Sequence, residues 1–286
     1  MQVIAVFGPT GIGKTAVAIA LAERLRQRGE DPVAVSADSM QLYQGLPILT
    51  GAADALEQAQ LEHRLLGFVP VHETYSAGAF ARRAHEEIDG LIAQNRRPIV
   101  VGGTGLYLRA ALADLDLRPP VDPALRARIA ARDLAELHAE LPPELNIRPT
   151  DTQRIVRAHE LLATGELPHA TSSQLWTEHT RHPTLLAALV MDRQRLYERI
   201  EARVDAMVAA GAAAEVRAVE HTASATARRA VGFEELLSGD VEAMKTNTRR
   251  YAKRQLTWLR KLPGAHRVDL TDRTPEDVAA ELVAMI

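Results

Sequence analysis

Val3-Ile4-Ala5-Val6-Phe7-Gly8-Pro9-Thr10-Gly11-Ile12-Gly13-Lys14-Thr15, residues 3–15, decide the fold. Five consecutive apolar residues stopped by Gly8-Pro9 predict a short buried strand. Residues 8–15 then match G-x-x-x-x-G-K-[ST], a loop that cradles phosphate and opens a helix. Its glycines let backbone amides close on an anion, and the helix N-terminus adds a favourable field. Gly8, Pro9, Thr10, Gly11, Ile12, Gly13, Lys14 and Thr15 are therefore the candidate diphosphate- or nucleotide-binding set. Within it Lys14 reaches the terminal phosphates and the Thr15 hydroxyl can hold Mg²⁺. The motif specifies a di- or triphosphate without specifying ATP. A ligand-free glycine turn is the bland alternative, and the strand before and helix after disfavour it.

Outward from this stretch the alternation continues. Residues 14–28 carry Val17, Ala18, Leu21, Ala22 and Leu25 at helical spacing. Residues 32–37 form a second apolar run that stops at Asp38-Ser39. Residues 76–94 are again helical, with Ala79, Phe80, Ala84, Ile88, Leu91 and Ile92 on the buried side, and residues 98–101 form a third strand ending in Gly102-Gly103. Strand, helix, strand, helix, strand is the signature of a parallel sheet. Between residues 114 and 183 the strand signal fades, and Pro119, Pro120, Pro123, Pro142, Pro143, Pro149 and Pro168 punctuate helical stretches. Residues 184–191 (TLLAALVM) return the chain to the sheet. Helices near 193–210 and 241–262, a strand at 267–270 and a helix at 275–285 complete the pattern. The expected fold class is α/β: a P-loop NTPase-like parallel sheet flanked by helices, with a mainly helical insertion. The core is discontinuous, residues 1–113 and 184–286, and the insertion is residues 114–183.

The 286 residues contain no cysteine, which removes disulfides, thiolate zinc sites and cysteine nucleophiles. A reducing cytoplasm is the expected location. No apolar run reaches the ~18 residues of a membrane span, and the first residues lack a basic n-region, so neither a membrane nor a signal peptide is expected. The net charge of −3 argues, at first sight, against a nucleic-acid partner.

In an open α/β sheet the C-terminal strand ends line the ligand crevice. Asp38 and Thr104 follow two of those ends, so both should converge on the phosphate loop. The third strand ends in glycines where a phosphate-hydrolysing enzyme of this class carries a metal-binding acid. The usual hydrolysis set is incomplete, or Asp38 has another task; a turn or helix-cap acid is its plainer reading. A tight Gly-Gly packing turn is the plainer reading of Gly102-Gly103.

Residues 244–267 hold eight Lys/Arg (Lys245, Arg249, Arg250, Lys253, Arg254, Arg260, Lys261 and Arg267) and no acid. On a helix, Arg249, Arg250, Lys253, Arg254, Thr257, Arg260 and Lys261 share one arc, while Tyr251, Ala252, Leu256, Trp258 and Leu259 occupy the rest. Solvated faces normally mix signs, so a single-sign face points to nucleic-acid phosphates. A membrane-surface helix is the competing use. The acidic excess is thereby confined to the remaining chain, and the whole-chain charge does not exclude RNA.

Several segments together are similar to the tRNA dimethylallyltransferase (tRNA isopentenyltransferase) family, bacterial type. They are GPTGIGKT (8–15), SADSMQLYQG (36–45), YSAGAF (75–80), PIVVGGTGLYL (98–108), DTQRIVRAHE (151–160), DRQRLYERIEARVDAM (192–207), RAVGFEEL (229–236) and TRRYAKRQLTWLR (248–260). The phosphate loop is generic; the combination, in the family's order over nearly the whole chain, is specific. The resemblance implies transfer of a dimethylallyl group from dimethylallyl diphosphate to the exocyclic N6 amine of the adenosine 3′-adjacent to a tRNA anticodon, releasing diphosphate. It implies Mg²⁺ as cofactor and Asp38 and Thr104 as catalytic residues. Arg229 is implied at the diphosphate. A tRNA-contacting set is implied at Asp38, Ser39, Met40, Gln41, Thr104, Arg126, Gln153, Arg154, Ile155, Val156, Arg157, Arg250, Arg254, Gln255 and Thr257.

An acceptor base within folded RNA has to be extruded. Met40 could stack on it and Gln41 could bond its edge, although core packing is the plainer reading of Met40. Three departures from the family pattern stand out: Gly67 replaces an acid, residues 46–53 lack a basic residue, and Phe233 replaces a common tyrosine. A compact member without a Cys/His zinc-finger extension is expected, and a monomer. The rivals are a small-molecule kinase, prenyl transfer to free adenine nucleotides, and an RNA-binding nucleotide switch without prenyl transfer.

Overall fold

The computed structural model describes residues 1–117, 121–166 and 175–286. Pro119, Pro120 and Pro168 lie outside them. Six parallel strands form one sheet in the order β3-β2-β4-β1-β5-β6. They are β1 (Val3–Phe7), β2 (Pro32–Ser36), β3 (His63–Arg64), β4 (Arg97–Gly102), β5 (Thr184–Val190) and β6 (His266–Asp269). Every residue of β1 and β2 is buried, as expected for central strands of a parallel sheet covered on both faces. This sheet is the expected α/β architecture. Strand β3 is two residues long and leaves no alternation to read.

Helix α1 (Lys14–Gln27) buries Val17, Ala18, Leu21, Ala22 and Leu25, the face its spacing predicts. Two short helices follow, α2 (Pro47–Thr50) and α3 (Ala55–Gln60). Helix α4 (Ala77–Ala93) starts where Ser76 accepts a hydrogen bond from the Ala79 amide, an N-cap worth about 1 kcal/mol. Helix α5 (Gly105–Leu112) begins directly after Thr104.

The chain divides into two compact units, residues 1–115 with 176–286, and residues 116–175. The second contains α6 (Pro123–Ala130), α7 (Leu134–Glu140), a 3-10 turn (Pro143–Leu145) and α8 (Thr152–Ala163). They enclose a small core of Ile129, Leu137, Leu141, Ile155, Val156 and Ala158. Residues 176–183 belong to the first unit rather than to the insertion. Trp176 packs on Trp258 with ring centroids 4.7 Å apart, and Arg181 pairs with Asp89 at 2.8 Å and Asp114 at 2.6 Å.

After β5 come α9 (Arg193–Ala209), α10 (Ala212–Val219), α11 (Phe233–Ser238), α12 (Val241–Leu259) and α13 (Pro275–Val283). Helix α12 ends at Leu259, ahead of Pro263-Gly264, three residues short of the predicted end. A proline cannot extend a helix and disfavours it one residue earlier.

Candidate active site

The three loops of interest leave neighbouring strands. Asp38 follows β2, Thr104 follows β4 and the phosphate loop follows β1, and β4 lies between the other two. The sheet order therefore lines them up along one edge.

The phosphate loop depends on its glycines. Gly11 and Gly13 have φ of +80° and +100°, conformations that only glycine adopts without strain. The amides of Gly11, Gly13, Lys14 and Thr15 bond no carbonyl among the described residues, so they remain available to an anion. Lys14 is partly buried and donates from Nζ to the carbonyls of Gly8 and Pro9, at 3.0 and 3.1 Å. Burial lowers its pKa to about 8; the Asp38 charge opposes that shift and Arg203 adds to it. The Thr15 hydroxyl has no protein partner among the described residues. Those residues also contain no cluster of three or more His, Asp or Glu side chains fit to cage a metal. A Thr hydroxyl at this point of a phosphate loop is of the kind that ligates Mg²⁺ beside phosphate oxygens.

The Asp38 carboxylate accepts from the Met40 amide through Oδ1 at 3.0 Å. Its Oδ2 has no hydrogen bond among the described residues. Thr104 Oγ1 accepts from the Ser39 amide at 3.3 Å, with the Ser39 hydroxyl at 3.2 Å and the Tyr251 hydroxyl at 3.3 Å. Tyr251 is enclosed, and burial with the nearby Asp38 charge drives its pKa upward; burial, Tyr43 and Asp38 do the same to Tyr107. Both phenols therefore stay protonated and remain donors beside the acid.

Gly102 and Gly103 serve the close packing that the plainer reading assigned them. A Cβ on Gly102 would sit 2.2 Å from the Ala37 carbonyl oxygen, and one on Gly103 would sit 3.3 Å from both Gly8 O and Lys14 Nζ. The same packing brings the loops of β2, β4 and β1 together.

Several expected contact residues turn out to be committed to the protein itself. Gln255, expected at tRNA, is 3% exposed. Its Oε1 accepts from the Thr10 amide at 2.8 Å and its Nε2 donates to Gly103 O at 2.8 Å. The Ile155 and Val156 side chains are buried in the core of the second unit. Gln41 accepts from the Ser36 hydroxyl and donates to the Gly51 carbonyl at 3.0 Å. Met40 packs partly against the cluster around Leu46, Leu49 and Phe233, as its plainer reading has it.

The remaining candidates are at least partly exposed. Arg229 is exposed and lines a cleft of about 250 Å³ with Arg228, Glu234, Asn247 and Arg254. Arg250, Arg254 and Thr257 are exposed on α12. Arg249 and Lys245, counted in the basic stretch, instead pair with Glu201 and Asp205 of α9. In the second unit, Arg126 and Arg157 pair at 3.2 and 2.9 Å with Glu160, which is fully buried. Arg154 is exposed, as is Gln153. His159 bonds the Leu137 carbonyl at 2.7 Å, a packing role.

Sequence reading missed Tyr251, Arg199 and Arg203. Arg199 Nε donates to Gly11 O at 2.9 Å, and Arg203 Nη2 donates to Gly51 O at 3.3 Å. Their spacing of four, flanking the buried Ile200 and Val204 of α9, is the signal: cations at the edge of an apolar stripe.

The protein is an α/β enzyme that carries a phosphate-loop motif on one strand end, Asp38 on a neighbouring one and no acid at the end of β4. Residues 41–262 match the family model described as IPP transferase. A tRNA dimethylallyltransferase of Thermobifida fusca is 40% identical, over 95% of this chain and 92% of that one. One of Stenotrophomonas maltophilia is 42% identical, over 90% and 89%. The crystal structure of the full-length tRNA isopentenylpyrophosphate transferase of Bacillus halodurans aligns with a TM-score of 0.73 at 28% identity, over 99% of this chain and 95% of that one. A eukaryotic dimethylallyltransferase described as acting on tRNA aligns with a TM-score of 0.78 at 25% identity, over 99% and 77%. The chain belongs to the tRNA dimethylallyltransferase family.

Proposed function

We propose that this enzyme transfers the dimethylallyl group of dimethylallyl diphosphate to N6 of the adenosine 3′-adjacent to the anticodon of tRNA. The observation that carries the reading is the alignment of Asp38, Thr104 and the phosphate loop on adjacent strand ends. The diphosphate lies on the amides of Gly11, Gly13, Lys14 and Thr15, with Lys14 and Arg229 as cations. Thr15 would hold Mg²⁺ together with diphosphate oxygens; when bound, the ion supplies further positive charge at the leaving group.

Adenine N6 is a weak nucleophile because its lone pair is delocalised into the ring. It attacks C1 of the prenyl group, the C1–O bond breaks, and that electron pair leaves on the diphosphate. The N6 proton passes to the Asp38 carboxylate, whose Oδ2 is not spent on a hydrogen bond among the described residues. A positioned base of this kind contributes about 10²–10⁴-fold. Thr104, fixed by the Ser39 amide and Tyr251, hydrogen-bonds at the reacting centre. The exposed cations Arg250 and Arg254 of α12, with Arg126, Arg154 and Arg157 of the second unit, engage RNA phosphates. The cytoplasm, where tRNA is found, is the corresponding location.

The test supplies labelled dimethylallyl diphosphate, labelled ATP, Mg²⁺ and unmodified tRNA. Prenyl label is expected in tRNA, at an N6-modified adenosine beside the anticodon on nucleoside mass spectrometry. Label reaching RNA from ATP alone, or reaching only free adenine nucleotides, would overturn the reading.

A further inference from the structure

Helix α9 passes the phosphate loop with consecutive side chains against it. A Cβ on Gly11 would lie 3.0 Å from Ile200 Cγ1, and one on Gly13 would lie 3.2 Å from Arg199 Nη2. Arg199 is spent on the loop carbonyl of Gly11. One turn further, Arg203 is set differently. Its single hydrogen bond among the described residues goes to Gly51 O, which also accepts from Gln41 Nε2. Its Nε is sealed from solvent and has no partner among the described residues. It forms no ion pair among the described residues, and Glu57 and Asp38 act on it only at longer range. A guanidinium carries five donors, and burying one without a carboxylate is costly unless an anion arrives.

That anion has an evident place. Lys14 and Arg203 repel one another across the site, so the protein holds two poorly compensated cations beside a phosphate loop. Gly51 is what lets the guanidinium sit there. Its φ is +57°, and a Cβ at this position would lie 1.6 Å from Arg203 Nη2 and 2.7 Å from Cζ.

We propose that Arg203 is a diphosphate ligand, binding the leaving group jointly with Lys14. It touches the diphosphate oxygens and stabilises the electron pair that the diphosphate takes from C1 as N6 attacks. The assignment rests on the prenyl-transfer reading for its catalytic part, whereas its anion-binding part stands on the geometry of α9 and Gly51. Arg229 approaches from the cleft beside α11 and α12; Arg203 comes from α9 and the Gly51 turn.

The experiment measures inhibition by inorganic pyrophosphate, KM for dimethylallyl diphosphate, kcat, tRNA affinity and thermal midpoint for the wild type, Arg203→Gln, Arg203→Lys and Gly51→Ala. Arg203→Gln is expected to weaken pyrophosphate binding by tenfold or more and to lower kcat/KM by about 10²–10³, the cost of removing one donor from a charge-stabilising site. Arg203→Lys should recover part of the loss. Gly51→Ala, which keeps the charge but displaces it, should shift pyrophosphate binding in the same direction, and tRNA affinity should stay within twofold throughout. Unchanged pyrophosphate inhibition in folded Arg203→Gln, with only a lower thermal midpoint, would overturn the proposal. A wild type that transfers no prenyl group while Arg203→Gln still loses pyrophosphate would refute the proposed function and leave the anion-binding assignment supported.

Discussion

On the proposed reading Asp38 and Lys14 divide the chemistry at the scale of single residues, and each can be tested alone. Asp38→Asn removes the proton acceptor and keeps the Met40 turn bond, because an amide oxygen also accepts. Turnover should fall by about 10²–10⁴-fold while tRNA affinity changes little; equal losses in both, measured by steady-state kinetics and filter binding, would assign Asp38 to binding. Lys14 has a folded-state pKa of about 8 against an ordinary value of 10.5. Below pH 8 the ligand-free fold carries a buried cation, and that penalty fades as pH rises from about 8 to 10.5, so stability contributed by this residue increases over that window. A bound diphosphate reverses the balance by favouring the cation. Near pH 8.5, pyrophosphate binding should therefore take up more protons in the wild type than in Lys14→Met, seen by calorimetry in buffers of different ionisation enthalpy. Equal uptake in the two proteins would contradict this.

At the level of elements, helix α12 does two jobs on different faces. Thr248, Ala252, Gln255 and Leu259 are buried, at spacings of four, three and four. That stripe was present in the sequence and points Gln255 inward; what it could not convey is that the two groups awaiting Gln255 are Thr10 N–H and Gly103 C=O, brought together only by the sheet. Gln255→Leu leaves both unpaired, at about 1–3 kcal/mol each. It should lower the thermal midpoint and raise KM for dimethylallyl diphosphate, with the salt dependence of tRNA binding unmoved. The outer face is uneven. Arg254 is exposed, whereas Arg249 is engaged by Glu201. Arg254→Ala should reduce the salt slope of tRNA binding by about one unit, and Arg249→Ala by clearly less; matching slopes would show that the α9 pair opens when RNA binds. The acids of α9 that pair with Lys245 and Arg249, Asp205 and Glu201, lie 40 and 48 residues earlier, and no local charge pattern reveals them.

For the molecule as a whole, the fold was legible because its parts obey simple periods. Apolar runs of four to eight residues marked β1, β2, β4 and β5, and the 3.6-residue period marked α1, α4 and α12. The phosphate loop was legible because its glycines, lysine and threonine sit in an eight-residue motif. What escaped was assembled across the chain: Arg203 beside Lys14, Tyr251 beside Thr104, and Glu160 beneath Arg126 and Arg157. Each depends on side chains from separate elements meeting in space, which composition and spacing do not encode.

The sheet order also has a consequence for how the enzyme is made. Strand β1 lies between β4 and β5, and its pairing with β5 joins Val3 to Thr184. During synthesis from the N-terminus, β3, β2, β4 and β1 can pair as soon as they emerge, but one edge of β1 stays open until residue 190 has left the ribosome. The edge exposed meanwhile belongs to the strand that carries the phosphate loop, and it is apolar on both faces. Nascent chains halted before Thr184 should therefore be protease-sensitive and engage chaperones, whereas chains extended past α13, whose Val283 carbonyl receives Arg28 of the α1 end at 2.9 Å, should resist digestion. The sheet that carries the phosphate loop is begun by the first residues translated and completed by nearly the last.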